Sequence, residues 1–230
     1  MNRTATAATL MFAALLGACK KHEKVEPAPV VAEPVPVTVP AAGPAPAAAA
    51  APAEQTDAQR ELAKKQALLA YGVMEDKYIN DPRAQWATDA KASSVFGDEN
   101  GKKPAESHMA KSAVGPSDSN TWTNNNIDKG FDWLETTFAK PVNATEVRVV
   151  IPSGQGVEAI NKVELQDEGG KWATVWEGMS EVKRDANGNR TWFVRTFDKT
   201  AYKAKAVKIT FANNLQHDYK VVDAVQLVGD

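Results

Sequence analysis

The most restrictive feature of this chain is a run of prolines that keeps its opening out of any core. Between Glu26 and Ala53 the sequence is almost entirely Pro, Ala, Val and Glu, with Pro27, Pro29, Pro34, Pro36, Pro40, Pro44, Pro46 and Pro52 closely spaced. Each proline fixes φ and removes a backbone donor, so the segment is predicted to be an extended, semi-rigid spacer advancing about 3 Å per residue. Folding is left to the residues after Pro82, on the order of 150 of them, enough to bury about two-thirds of their unfolded surface. The formal net charge of −2 shows no basic excess. It therefore argues against a nucleic-acid partner and against a polybasic attraction to anionic lipid.

Ahead of the spacer, residues 1–18 carry Arg3, then Leu10, Met11, Phe12, Leu15 and Leu16, then small Gly17 and Ala18. The apolar run is too short for a permanent span, which needs roughly 20 residues, and it reads as a signal peptide. Leu16-Gly17-Ala18-Cys19 resembles the bacterial lipobox. That resemblance implies cleavage before Cys19 and attachment of lipid to its thiol, making the membrane a partner through the N-terminal lipid. The alternative is an ordinary signal peptide with a chance cysteine in its cleavage region. Lys20 stands where the inner-membrane retention signal has aspartate, which implies the outer membrane of a Gram-negative bacterium. With no second cysteine in the chain, no disulfide is expected and the core must stand on packing.

The predicted organisation is a signal peptide over 1–18, a Pro/Ala-rich tether over 19–55, a short amphipathic helix over 56–81 and a β-sandwich over 82–230. Thr56-Asp57-Ala58-Gln59 reads as a capping box, and Asn80-Asp81-Pro82 ends the helix. Ala58, Leu62, Leu69 and Val73 form its thin apolar stripe, suited either to lying on the following domain or to a short coiled coil. Beyond Pro82 the residues alternate with a period of two, and strands are predicted over 131–138, 146–151, 160–166, 172–176, 191–197, 206–211 and 221–228. Asp167-Glu168-Gly169-Gly170 and Asp185-Ala186-Asn187-Gly188-Asn189 read as hairpin turns. With no crossover helices, the fold class is all-β, an antiparallel jelly-roll β-sandwich.

Several stretches then resemble a discoidin-like, or galactose-binding-like, domain. They are Ala92-Ser93-Ser94, Ala113-Val114-Gly115-Pro116, Trp133-Leu134-Glu135, Lys162-Val163-Glu164-Leu165-Gln166-Asp167, Thr174-Val175-Trp176, Val207-Lys208-Ile209 and Val222-Asp223-Ala224-Val225-Gln226-Leu227. The match runs roughly over residues 84–229. It implies a jelly roll whose loops at one end bind sugars, lipid head groups or proteins, and a possible structural calcium held partly by backbone carbonyls. Asp118 and Asp128 are the candidate ligands of that metal. No binding motif of the family matches residue by residue.

Catalysis finds little footing. There is no Gly-x-Ser-x-Gly elbow, the one cysteine is assigned to lipid, and His22, His108 and His217 lack metal-ligand spacing. Glu135, Glu164 and Asp223 lie within strand patterns, where alternation makes them solvated or edge residues. No catalytic residue is expected, and no cofactor is required. Asp185-Asn187-Asn189 and Asn124-Asn126-Asp128 mimic the start of an EF-hand loop, but each lacks its glycine in place. Trp133, Trp172 and Trp176 are expected in the core, with Trp172 and Trp176 on one sheet face. Trp122 stands among Asn120, Asn124 and other polar residues. Its ring either stacks on a sugar, with the asparagines bonding hydroxyls, or folds back over the sandwich rim. His217 and Tyr219, before the last strand, are weaker candidates for the same role. The expectation is a displayed binding module for a glycan or an envelope protein, or else a structural lipoprotein with no small ligand.

Overall fold

The computed structural model describes residues 56–98 and 104–230. The readings of the signal peptide, Cys19 and the tether lie outside the described residues. Helix α1 (Asp57–Ile79) opens on the expected capping box, with the Thr56 N–H donating to Gln59 Oε1 at 2.9 Å and the Gln59 N–H to Thr56 Oγ1 at 3.3 Å. Its predicted stripe faces away from the sandwich, against the expectation that it lies on the domain. Leu62, Leu69 and Val73 are 57, 69 and 64 % exposed, while the helix docks through Tyr71, Met74, Glu75 and Tyr78 on the opposite face. The reason is chemical. The sheet beneath offers Trp192 to the Tyr78 ring at 5.1 Å and the Arg190 carbonyl to the Tyr71 hydroxyl at 2.9 Å, and a mixed aromatic and polar face fits these better than leucines do. Gly188 makes room for the docking: a Cβ there would meet the Tyr71 ring at 2.0 Å.

Nine strands follow, β1 (Ala84–Ala92), β2 (Trp122–Thr123), β3 (Phe131–Pro152), β4 (Ile160–Asp167), β5 (Trp172–Glu177), β6 (Arg190–Thr196), β7 (Lys203–Ala212), β8 (Val221–Val222) and β9 (Ala224–Gly229). All pairings are antiparallel. The two strands predicted over 131–138 and 146–151 are one, β3, and it serves two layers. Its first part pairs with β1 and β7, and its second with β6 and β9. Pro141, which has no N–H to give a ladder, sits in the register shift between Thr137 and Val142. Strand β1 also changes layer, pairing with β9 over Ala84–Trp86 and with β3 over Ala87–Ala92. One layer is therefore β1, β9, β3 and β6, and the other β1, β3, β7, β4 and β5. Between them lie Val147, Val149, Ile151, Val163, Leu165, Phe193, Val207, Ile209, Phe211, Val225 and Leu227, contributed at alternate positions.

The hairpin at 167–170 forms, with the Gly170 N–H on the Asp167 carbonyl at 3.0 Å. The one expected at 185–189 does not: it leads into β6, which pairs with β3 and not with β5. The shared face of Trp172 and Trp176 also fails. The β4–β5 register slips between Val163 and Glu164, so the alternation flips. Trp172 therefore stands on the outer face with Lys208 Nζ 4.2 Å from its ring centroid, while Trp176 packs inward on Phe193 at 5.4 Å.

Candidate functional site

The loops at one end of the sandwich are drawn together by the small β2–β8 ladder, in which Trp122 pairs with Val222 and Thr123 with Val221. Trp122 is not a sugar platform. It is 0 % exposed, packs on Phe211 with ring centroids 5.6 Å apart, and donates Nε1 to the Ser94 carbonyl at 2.9 Å. Asn124 is also buried, with its amide on Asp132 Oδ2 at 2.8 Å and its Oδ1 accepting the Lys220 N–H at 2.8 Å. Both residues fix the loops from inside. The Asp132 carboxylate at the centre of this network would be pushed up by burial, yet donors from Ser93, Asn124, Ser94 and Asn213 outweigh that and hold it below the usual carboxylate range.

Lys220 belongs to the same buried layer. Its ammonium donates to the carbonyls of Ile127 at 3.0 Å, Gln216 at 2.8 Å, Asn213 at 3.3 Å and Asp218. Such a convergence of carbonyl oxygens is the donor set of a hard cation, and here a side chain supplies the charge. The two expected calcium ligands stand apart in their contacts. Asp118 spends both carboxylate oxygens on Asn120, at 2.9 Å each, while Asp128 lies in the field of the Lys220 ammonium. Among the described residues no three His, Cys, Asp or Glu side chains gather as a ligand group. Gly156 permits the close approach of the chain here, since a Cβ on it would meet the Lys220 Cα at 2.8 Å.

Above this layer opens a hollow of about 470 Å³ lined by Phe96, His108, Thr121, Thr123, Pro152, Gln155, Tyr219 and Val221. Three rings form its aromatic wall. Phe96 meets Tyr219 edge-on at 5.0 Å and His108 at 5.2 Å. His108 Nδ1 lies 3.2 Å from Thr123 Oγ1, and Gln155 Nε2 reaches Asp218 Oδ1 at 2.9 Å, so the polar groups among the rings are held in place. Of the predicted binding residues, Tyr219 is in this hollow, Asn120 lines a neighbouring one, and His217 is exposed outside both. Phe96 and His108 were missed. They are separated from Tyr219 by more than a hundred positions, and no spacing rule links them.

The neighbouring hollow, about 360 Å³, is polar and lined by Glu106, Ser107, Lys111, Ser112, Val114, Asp118 and Asn120. Its floor is tied down from behind by Asp223, which sequence alternation made a solvated or edge residue but which is 2 % exposed. That carboxylate accepts Ser117 Oγ at 2.5 Å and the N–H groups of Asp118 and Ser119 at 3.1 and 3.3 Å. Ser117 in turn receives Arg190 Nε at 2.8 Å, and Arg190 reaches Glu75 of α1 at 2.9 Å. The other two strand carboxylates are taken up by lysines, Glu135 with Lys91 at 2.8 Å and Glu164 with Lys162 at 3.3 Å.

No protein-family model matches the chain, and no curated protein does. Solved structures do. The F5/8 type C domain of a Bacteroides fragilis protein aligns over 65 % of this chain and 98 % of its own length, with a TM-score of 0.49 and 15 % identity. The family 32 carbohydrate-binding module of Clostridium perfringens NanJ, in complex with galactose, aligns over 63 and 98 % with a TM-score of 0.43 and 19 % identity. The corresponding module of AlyQ, in complex with 4,5-unsaturated mannuronic acid, aligns over 64 and 98 % with a TM-score of 0.47 and 14 % identity. The described chain is an antiparallel β-sandwich with one helix on its outer face, and these discoidin-like domains are what it is similar to.

Proposed function

We propose that this chain is an envelope lipoprotein, lipid-anchored at Cys19 to the outer membrane, whose sandwich binds a glycan or cell-envelope polymer and catalyses nothing. The aromatic hollow supports this reading above any other feature. Half-open rings at Tyr219 and Phe96 offer apolar surface to the face of a pyranose, and Thr121, Gln155 and His108 stand beside them to meet its hydroxyls. Lys220 holds the loops in the place of a metal, so binding needs no calcium. The test is a glycan array and a polysaccharide pull-down with the full-length protein beside Tyr219→Ala. Binding by the natural protein that falls at least about tenfold in the variant supports the reading, the loss of one aromatic contact being worth about that factor. Binding to no glycan by either protein sinks it. For the anchor, Cys19→Ser is expected to abolish incorporation of radiolabelled palmitate, and label retained in the variant would exclude Cys19 as the attachment point. The outward stripe of Leu62, Leu69 and Val73 on α1 favours a second reading, a protein-interaction lipoprotein with no small ligand.

A further inference from the structure

The aromatic and polar hollows share a wall at two points. In the turn at Glu106–His108, Glu106 and Ser107 face the polar hollow while His108 faces the aromatic one. In the loop before β2, Asn120 lines the polar hollow and Thr121 the aromatic one. A ligand leaving one hollow across either ridge enters the other. We propose that the two form a single groove for a stretch of glycan at least two sugars long, whose second position accepts neutral or amino sugars and rejects acidic ones. This rests on the glycan reading of the aromatic hollow and adds to it a chain length and a charge class.

Two observations carry the inference. First, the polar hollow is preorganised: Asp223 fixes the backbone of Asp118 and Ser119, the latter at φ 75°, and Ser117, Arg190 and Glu75 brace that carboxylate from the helix side. A loop held this way loses little freedom when a ligand arrives. Second, the charges there are uneven. Glu106 and Asp118 bring two carboxylates, and Asn120 holds Asp118 below the usual carboxylate range and therefore ionised. Among the described residues that line the polar hollow, the one cation, Lys111, is drawn toward Asp89, 3.8 Å away. A uronate entering the polar hollow meets two like charges, whereas hydroxyl or ammonium groups meet acceptors.

Calorimetry on the full-length protein with glucosamine, its β-1,4-linked dimer and tetramer, and a mannuronate tetramer tests this. Affinity is expected to rise about tenfold from monomer to dimer, the equivalent of one or two net hydrogen bonds. It should change little from dimer to tetramer, and the mannuronate tetramer should bind at least about tenfold more weakly than the glucosamine tetramer. Glu106→Gln and Asn120→Ala should each shrink the tetramer-to-monomer ratio. Equal binding of monomer and tetramer, or a mannuronate tetramer that binds as tightly as the amino-sugar one, overturns the groove and leaves the glycan reading intact. If the array yields a ligand lost in Tyr219→Ala while no glucosamine oligomer binds, the groove assignment alone falls. If no glycan binds at all, both fall.

Discussion

Among the described residues two cations are buried, and they are neutralised in opposite ways. Arg148, 3 % exposed on the face beneath α1, is met by carboxylates: Asp81 at 2.8 Å and Glu146, with Gln226 Oε1 and the Tyr78 carbonyl each at 3.3 Å and the Tyr78 ring centroid at 4.5 Å. Lys220, 0 % exposed under the aromatic hollow, touches backbone carbonyls only, while Asp128, Asp132 and Asp218 act on it through their fields. The difference follows the two shapes. A planar guanidinium can fork between a carboxylate from the α1–β1 connection and one from β3, and so it ties separate elements together. A compact ammonium can be ringed by main chain alone, and it pins the loop over residues 213–218 to the Ile127 carbonyl of the β2–β3 loop. The cost differs as well. Burial drives the Lys220 ammonium down to about 8 despite the pull of the three aspartates.

Removing either cation should tell the two modes apart, with the larger loss at the arginine. Arg148→Leu takes the guanidinium from Glu146 and leaves Asp81 with Arg83 alone, and is expected to cost about 3–5 kcal/mol, read by urea unfolding; a loss under about 1 kcal/mol would mean that the guanidinium is not the clamp described. The same variant should speed amide exchange over residues 71–79 more than in the sandwich core. Lys220→Met removes the donor from several buried carbonyls and is expected to cost about 2–3 kcal/mol, since water can reach some of them. Glycan affinity should fall with it, because Tyr219 sits on the loop that Lys220 holds.

A smaller effect is expected from pH, and it concerns the lysine alone. The unfolded chain keeps the Lys220 proton until about its ordinary 10.5, and the folded chain gives it up near 8. Over that window the unfolded state binds more protons, so stability attributable to Lys220 rises with pH; below it both states are protonated and the burial cost is constant. Melting curves of the natural protein and Lys220→Met from pH 7 to about pH 10 should therefore diverge in favour of the natural protein as pH rises, and parallel curves would contradict the assignment. The smallest expected effect is calcium. Adding the ion or chelating it should leave the melting midpoint unchanged, and a stabilisation that saturates with calcium would show a metal site that Lys220 does not replace.

What the sequence disclosed was whatever short-range chemistry decides. The capping box at Thr56 and Gln59, the hairpin at 167–170 and most strand positions are local, and local rules found them. The misses share a physical origin. Trp122 lay in a run of polar residues that left its ring open between a sugar platform and the sandwich rim, because three partners of that run, Ser94, Asn213 and Lys220, are remote in sequence and only Asp132 is near. Strand β1, Ala-Gln-Trp-Ala-Thr-Asp-Ala-Lys-Ala, has Thr88 as its single β-branched residue and is held by its neighbours on both layers. The stripe on α1 is a true pattern that faces away from the sandwich, while the helix docks through Tyr71, Met74, Glu75 and Tyr78. The bulge that separates Trp172 from Trp176 leaves no mark in spacing, because a one-residue slip costs the sequence nothing and moves every later side chain to the other face. Of the cleft, Tyr219 was readable from its loop, while Phe96 and His108 join it only in three dimensions.

Because β3, and β1 beside it, cross from one layer to the other, the sandwich has no seam along which its sheets could part with every strand whole. Peeling either layer away would tear β3 near its middle and open the core on both sides at once. Partial opening is thus confined to the periphery, to α1, the loops and the β2–β8 ladder, and the remainder melts as a single cooperative unit.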